Sequence, residues 1–411
     1  MKEEKTGENK MSGEEKKPAQ GLGQNVLFLG MVSLLNDLSS QMVYPLIPTF
    51  LDLLGASPAI LGLIEGIAEA TASLFRTLFG YLSDKFKKRK LFIVTGYGLS
   101  AISRPFLYLA GHWGGVLAVR FSDRLGKAAR TPARDALIST SVDPSIRGRA
   151  FGFHRAMDRI GAIGGPLFAM FILTLLPYRD SEPIRALKFT FLISAIPGAI
   201  ALIFVRFARE TGFKSRATAK KKTAIRDAPF ILFLVANAFF ALGNSSNAFL
   251  ILKARELEIA VHFIPILWVV YNSVCTVSSP VIGSLSDRIG RKAVIVASFL
   301  YYAVIYVLFG FATEQWMMWV LFGAYGVYYG LTEGIFRAYV ADIVEEGKRA
   351  TAYGILNTVI GVSLLPASLI MGLVWDLYNS KVAFLVSAGL GLMGFIVFLI
   401  SMLVKRPHVA R

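Results

Sequence analysis

Asp37 stands in the first long apolar run of the chain, with Gln41 and Tyr44 one and two helical turns further on. A carboxylate placed there is partly withdrawn from water, the setting in which a side chain takes up and releases a proton or meets a solute. The plainer alternative is a structural carboxylate bonded to Ser39, Ser40 or a neighbouring arginine. Glu65, Glu69 and Arg76 follow at spacings that put all three on one helix face. Two adjacent carboxylates repel, so they either share a proton or draw in an arginine; a water-filled mouth explains them equally well. Arg120, Asp123, Arg124, Lys127, Arg130 and Arg134 form one charged stripe, which cannot face lipid. Arg120 is the deepest, placed to bind an anion or to switch a carboxylate, or to tie helices together through Asp123 or Asp37. Lys127, Arg130, Arg134 and Asp135 read as structural. His154 and Asp158 share a face one turn apart, suited to a proton relay or a gate salt bridge. They lack a nearby third donor, so no metal site follows.

The later part of the chain carries amides instead. Asn244, Ser245, Ser246 and Asn247 occupy the region corresponding to Asp37, and Asn272 and Asn357 add further neutral groups that can orient a solute. Glu333 is the one clearly embedded acid there, with Arg337 four residues on. Trp268, Tyr271, Tyr301, Tyr325 and Tyr328 could stack on a ring or simply pack. The candidate solute contacts are therefore Asp37, Gln41, Tyr44, Arg104, Arg120, Asn244, Asn247, Asn272 and Asn357. The candidate proton-coupling residues are Asp37, Arg120, Glu65, Glu69 and Asp158.

The elements that must position these residues follow from composition. The chain has 411 residues, 55% of them hydrophobic and only 17% charged, too apolar for a water-facing globule and against a soluble enzyme. Twelve apolar runs predict membrane helices near 24–54, 58–82, 91–111, 114–135, 149–176, 187–207, 228–252, 263–286, 291–312, 316–341, 350–374 and 382–404. The net charge of +17 gathers in alternate short loops, from Lys85 to Lys90, at Arg147 and Arg149, and from Arg288 to Lys292. That is the positive-inside pattern rather than a nucleic-acid surface, and it predicts both termini in the cytoplasm. One cysteine, Cys275, and the lack of a Gly-rich lysine motif leave no disulfide framework, no implied cofactor and no ATP-driven pump.

The chain also repeats. Gly-Tyr-Leu-Ser-Asp-Lys at 80–85 returns as Gly-Ser-Leu-Ser-Asp-Arg at 283–288, with Asp84 and Asp287 203 residues apart. Arg130 and Asp135 match Arg337 and Asp342 at a shift of 207, and Ser39–Gln41 match Ser245–Asn247 at 206. The expected organisation is a cytoplasmic tail (1–23), a six-helix bundle (24–208), a cytoplasmic linker (209–227), a second six-helix bundle (228–404) and a tail (405–411). The fold class is an all-α polytopic membrane protein with twelve transmembrane helices in two pseudo-symmetric bundles and a solute site between them.

These residues resemble the major facilitator superfamily. Its loop signature of Gly, Asp and basic residues after the second and eighth helices is matched by Gly80, Asp84, Lys85, Lys88, Arg89 and Lys90, and by Gly283, Asp287, Arg288, Gly290, Arg291 and Lys292. Lys87 stands where the family usually has glycine, so a different local turn is expected. Arg120 and Gly126 resemble the family's fourth-helix arginine and small residue. Gly161, Gly164, Gly165 and Pro166 resemble part of the Gly-Pro element of its proton-linked exporters. The resemblance implies a monomeric inner-membrane secondary transporter working by alternating access on a small solute and protons, with export favoured. It also implies a cytoplasmic gate of Asp84, Arg130, Arg134, Asp135, Asp287, Arg337 and Asp342. The alternatives are a carrier of organic or phosphorylated anions, a metal exporter and a non-transporting membrane sensor.

Overall fold

The computed structural model describes residues 22–177, 180–210, 227–332, 334–345 and 348–403. The expected tails and linker fall almost wholly outside these residues, as does Glu333. The described chain is helical, with no strand among the described residues. Six passes form the first half: α1 (Gln24–Val43) continued by α2 (Ile47–Leu53), α3 (Pro58–Phe86), α4 (Arg89–Ser103), α5 (Trp113–Thr140), α6 (Arg147–Leu175), and α7 (Pro183–Ile193) continued by α8 (Ala195–Val205). Six more form the second: α9 (Ala228–Gly243) with α10 (Ala248–Glu256), α11 (Ile264–Ile289), α12 (Arg291–Phe311), α13 (Gln315–Thr332) with α14 (Ile335–Ile343), α15 (Arg349–Leu377) and α16 (Ser380–Leu403).

Nine of these passes, among the described residues, are long and apolar enough to cross a membrane by length and composition. The other three are α4, flanked by Arg89, Lys90 and Arg104, α5 with its charged stripe, and the pass broken between α13 and α14. Two passes expected to be continuous are interrupted. The seventh unwinds over Asn244–Asn247, where four short polar residues hydrogen-bond locally rather than extend a helix. The tenth breaks beside Gly334, whose φ of 92° lies outside the range of a helix. At the first break the exposed backbone is satisfied by side chains: Tyr302 donates its hydroxyl to the Gly243 carbonyl at 2.7 Å, and Ser368 Oγ accepts from the Ser246 amide at 3.2 Å.

The repeated loops resemble each other closely but not fully. Lys87 ends α3 at φ 53° and ψ 34°, while Gly290 ends α11 at φ 89° and ψ 139°. Beyond each turn an arginine anchors the loop: Arg89 donates to the Ala136 carbonyl at 3.4 Å, and Arg291 to the Ala338 carbonyl at 3.1 Å. Both contacts are shifted by 202 residues, which corrects the repeat expected at 207. Thr140 rather than Asp135 corresponds to Asp342, and Arg337 corresponds to Asp135.

Close helix contact is made possible by small residues. A Cβ on Gly161 of α6 would lie 2.5 Å from the Leu34 carbonyl oxygen of α1. Between the halves, Gly62 and Gly66 of α3 press on Ser368 and Leu365 of α15. The halves are joined mainly by α3 with α15, α6 with α11, and α2 with α10. The α3–α15 and α2–α10 contacts use the ends remote from the basic loops, so the molecule is closed on that side.

Candidate functional site

The halves enclose a chamber with two lobes, one of about 650 Å³ and one of about 400 Å³, which share Tyr44, Glu69, Arg155 and Asn247. The larger lobe runs to Phe336 and Arg337 at the basic-loop end of the tenth pass, so the chamber opens on the side of the basic loops. The smaller lobe is lined by the charged stripe of α5.

The charged wall is largely paired within the first half. Arg120 donates to Glu65 through two nitrogens at 2.8 and 2.7 Å, with both side chains buried. Glu65 also accepts from Ser246 of the second half at 3.2 Å. Glu65 is therefore not at a solvated mouth, because α3 and α15 close over it, and Arg120 is tied neither to Asp37 nor to Asp123. Arg104 donates to Asp123 at 3.1 and 2.8 Å and to Ser39 at 2.8 Å, and also reaches both oxygens of Asn36. Its donors hold α1, α4 and α5 together, and the side chain also lines the smaller lobe. Arg124 pairs with Glu69 at 3.0 Å and Arg134 with Asp135 at 3.0 Å. The guanidinium groups of Arg120 and Arg124 lie 5.2 and 5.9 Å from the Tyr44 ring centre.

Three residues of this wall stand apart. Asp37 lines the smaller lobe and accepts from Asn36 at 3.2 Å, with no ion-pair partner among the described residues. Lys127, read from sequence as structural, lines the same lobe with its ammonium group in no ion pair or hydrogen bond among the described residues. Arg130 donates to Ser100 at 2.6 Å and lies over the Tyr97 ring, without a carboxylate. Asp158 accepts from Ser33 and lies 3.4 Å from His154 Nδ1. Of the cations lining this lobe, Lys127 and Arg130 thus remain against Asp37 and Asp158 once the four paired arginines are set aside, and Arg155 makes an interaction of its own.

The opposite wall is neutral and aromatic. Tyr271, Tyr328 and Tyr329 line the larger lobe, and Tyr325, one turn before Tyr329 on α13, is fully buried behind them; the rings of Tyr325 and Tyr329 lie 5.7 and 5.4 Å from that of Tyr271. Tyr325 donates to Asn247 at 2.7 Å, and Asn247 donates to Tyr329 at 3.4 Å. Asn244 donates to Tyr328 at 3.2 Å. Asn357 lines the larger lobe; Asn272 does not, since its amide turns back to the Trp268 carbonyl at 2.8 Å. Tyr301 likewise bonds the Ala324 carbonyl outside the chamber. Trp268 donates to Gln41 across the halves at 2.8 Å, so Gln41 is a tie between halves. Asn237 and Tyr329 line the chamber without having been singled out in sequence, although Tyr329 stands one turn from Tyr325 on a readable stripe.

The expected gate residues are spread out. Asp84 is exposed and lies 3.6 Å from Arg89, not against Arg130. Asp287 lies 3.6 Å from Arg291, which also pairs with Asp342, and Arg337 is exposed at the chamber mouth.

Two helical bundles around a chamber that opens on one side define a membrane transporter. The chain belongs to the Major Facilitator Superfamily, whose family model matches residues 29–250 and 230–411. It is 36% identical over 364 residues to an uncharacterised MFS-type transporter of Methanocaldococcus jannaschii, covering 87% of this chain and 89% of that one. It is 24% identical over 311 residues to a multi-drug resistance efflux pump of Streptococcus pneumoniae, covering 73% and 75% of the two chains. Among solved structures, the nucleoside transporter NupG shares the fold with a TM-score of 0.77 at 15% identity, over 92% of this chain and 99% of that chain.

Proposed function

We propose that this transporter is a proton-coupled exporter of a small organic solute, cycling by alternating access in the inner (plasma) membrane as a monomer with both termini in the cytoplasm. The moving bodies are residues 24–208 and 228–404. The observation that carries the reading is Asp37: a carboxylate lining the chamber, without an ion-pair partner among the described residues, on a wall where four arginines are matched by carboxylates. Such a group can exchange a proton without dismantling the bundle. The efflux pump among the relatives supports export. Because Arg120 is held by Glu65, the cations that can approach or leave Asp37 are those of α5 beyond it.

The test is flux in proteoliposomes under an imposed pH gradient against a panel of aromatic dyes and anions. The expected result is uphill movement in the wild type and its loss in Asp37→Asn, with equilibrium exchange of the same solute retained. Full gradient-driven accumulation by Asp37→Asn would remove Asp37 from the coupling role.

A further inference from the structure

We infer that the solute is a zwitterion of the α-amino-acid kind, its ammonium group held by Asp37 and its carboxylate by Lys127 across the smaller lobe. The inference rests on the transport reading above and adds the chemistry of what is carried.

Charge bears on it first. Four arginines of the smaller lobe have carboxylates of their own. Of its other charged groups, Arg130 is held by Ser100 and the Tyr97 ring, Asp158 by Ser33 and His154, and Arg155 makes an interaction of its own. Asp37 and Lys127 are left, one acid and one base, in no ion pair with each other or with any other described residue. Charges at membrane depth are costly without a partner. A solute carrying one charge of each sign partners both groups and adds no net charge to the cavity. A simple cation or anion would partner one and leave the other stranded.

Position bears on it second. Asn25, at the basic-loop end of α1, donates to Ser141, just past the end of α5, at 2.9 Å, so the two helices are level there. Asp37 lies twelve residues beyond Asn25, and Lys127 fourteen before Ser141. At 1.5 Å per residue they stand about 18 and 21 Å from that contact, at nearly one depth on two walls of the same lobe. Opposite charges set level yet unpaired leave a gap that a short dipolar ion fills, with three donors from Lys127 for its carboxylate. The lobes join at Tyr44 and Asn247, so the rest of the solute extends into the larger lobe, where Tyr271 and Tyr329 line the wall. An aromatic side chain finds ring partners there.

The experiment is equilibrium dialysis of the purified full chain in detergent with three probes of one size: phenylalanine, phenethylamine (the same skeleton without the carboxylate) and 3-phenylpropionate (without the ammonium group). Phenylalanine is expected to bind saturably, with each single-charge probe weaker by about tenfold or more. Lys127→Gln should weaken phenylalanine by about tenfold and erase its advantage over phenethylamine, while Asp37→Asn should erase its advantage over 3-phenylpropionate. Asparagine keeps an acceptor oxygen for the ammonium group, so exchange by the Asp37→Asn transporter continues at saturating solute. No saturable binding of phenylalanine, a single-charge probe binding as tightly, or either variant keeping the wild-type preference would each overturn the inference. The wild-type probe order stands even if a variant fails to fold. Gradient-driven flux of other solutes by a protein that does not bind phenylalanine would sink this inference and leave the transport reading intact; saturable, charge-selective phenylalanine binding with no gradient-driven flux of any solute would do the reverse.

Discussion

Arg120 and Glu65 are 3% and 1% exposed, and their pairing is two-pronged, so neither charge has water to fall back on. Removing one member of such a pair strands the other at a cost of about 3–5 kcal/mol, whereas replacing both by apolar groups is far milder. Glu65→Gln should therefore lower thermal stability in detergent by about 3 kcal/mol, and Glu65→Leu with Arg120→Met should recover most of that loss. A double variant no more stable than the single would show that the pair is not the strut its geometry indicates. Sequence identified nearly every charged residue of this wall but not who pairs with whom. Arg120 has Asp123 three residues away, yet it bonds Glu65 on α3, while Asp123 is taken by Arg104. Partner choice is set by how α3, α4 and α5 rotate against one another, and one sequence carries no record of that rotation. For the same reason the stripe did not show that the ammonium group of Lys127 stays out of every ion pair among the described residues.

The helices themselves were legible, because a run of about 20 apolar residues has few other uses. Their interruptions were not. Asn-Ser-Ser-Asn in the seventh pass reads as a polar patch on a helix, and only the donors and acceptors supplied by Tyr302 and Ser368 show that the backbone has opened there. The turn after α3 is the opposite case: a lysine where glycine is usual signalled an altered turn, and Lys87 takes a positive φ of 53°. A side chain in that region costs about 1 kcal/mol that glycine does not. Lys87→Gly should raise the unfolding midpoint, equivalent to up to about 1 kcal/mol, and Lys87→Val should lower it. Unchanged midpoints in both would mean that the loop does not hold this conformation in the membrane.

At the scale of the whole molecule, closure and opening are assigned to different materials. The closed side uses glycines, Ser246 with Glu65, and Trp268 with Gln41; the open side carries the exposed charges of the repeated loops. If Asp84 meets the α5 arginines only when the basic-loop side closes, Asp84→Asn should slow transport severalfold while leaving solute affinity within about threefold. Lost affinity with intact turnover would contradict the gate role. The same division has an electrical side. Water filling the open chamber carries the potential of one compartment to the closed seam, so a transmembrane voltage falls mainly across that seam, acting with about 2.3 kcal/mol per elementary charge per 100 mV. The charged side chains that line the chamber lie on its water-filled side while it is open, so the voltage does little work on them until the seam moves to the other face.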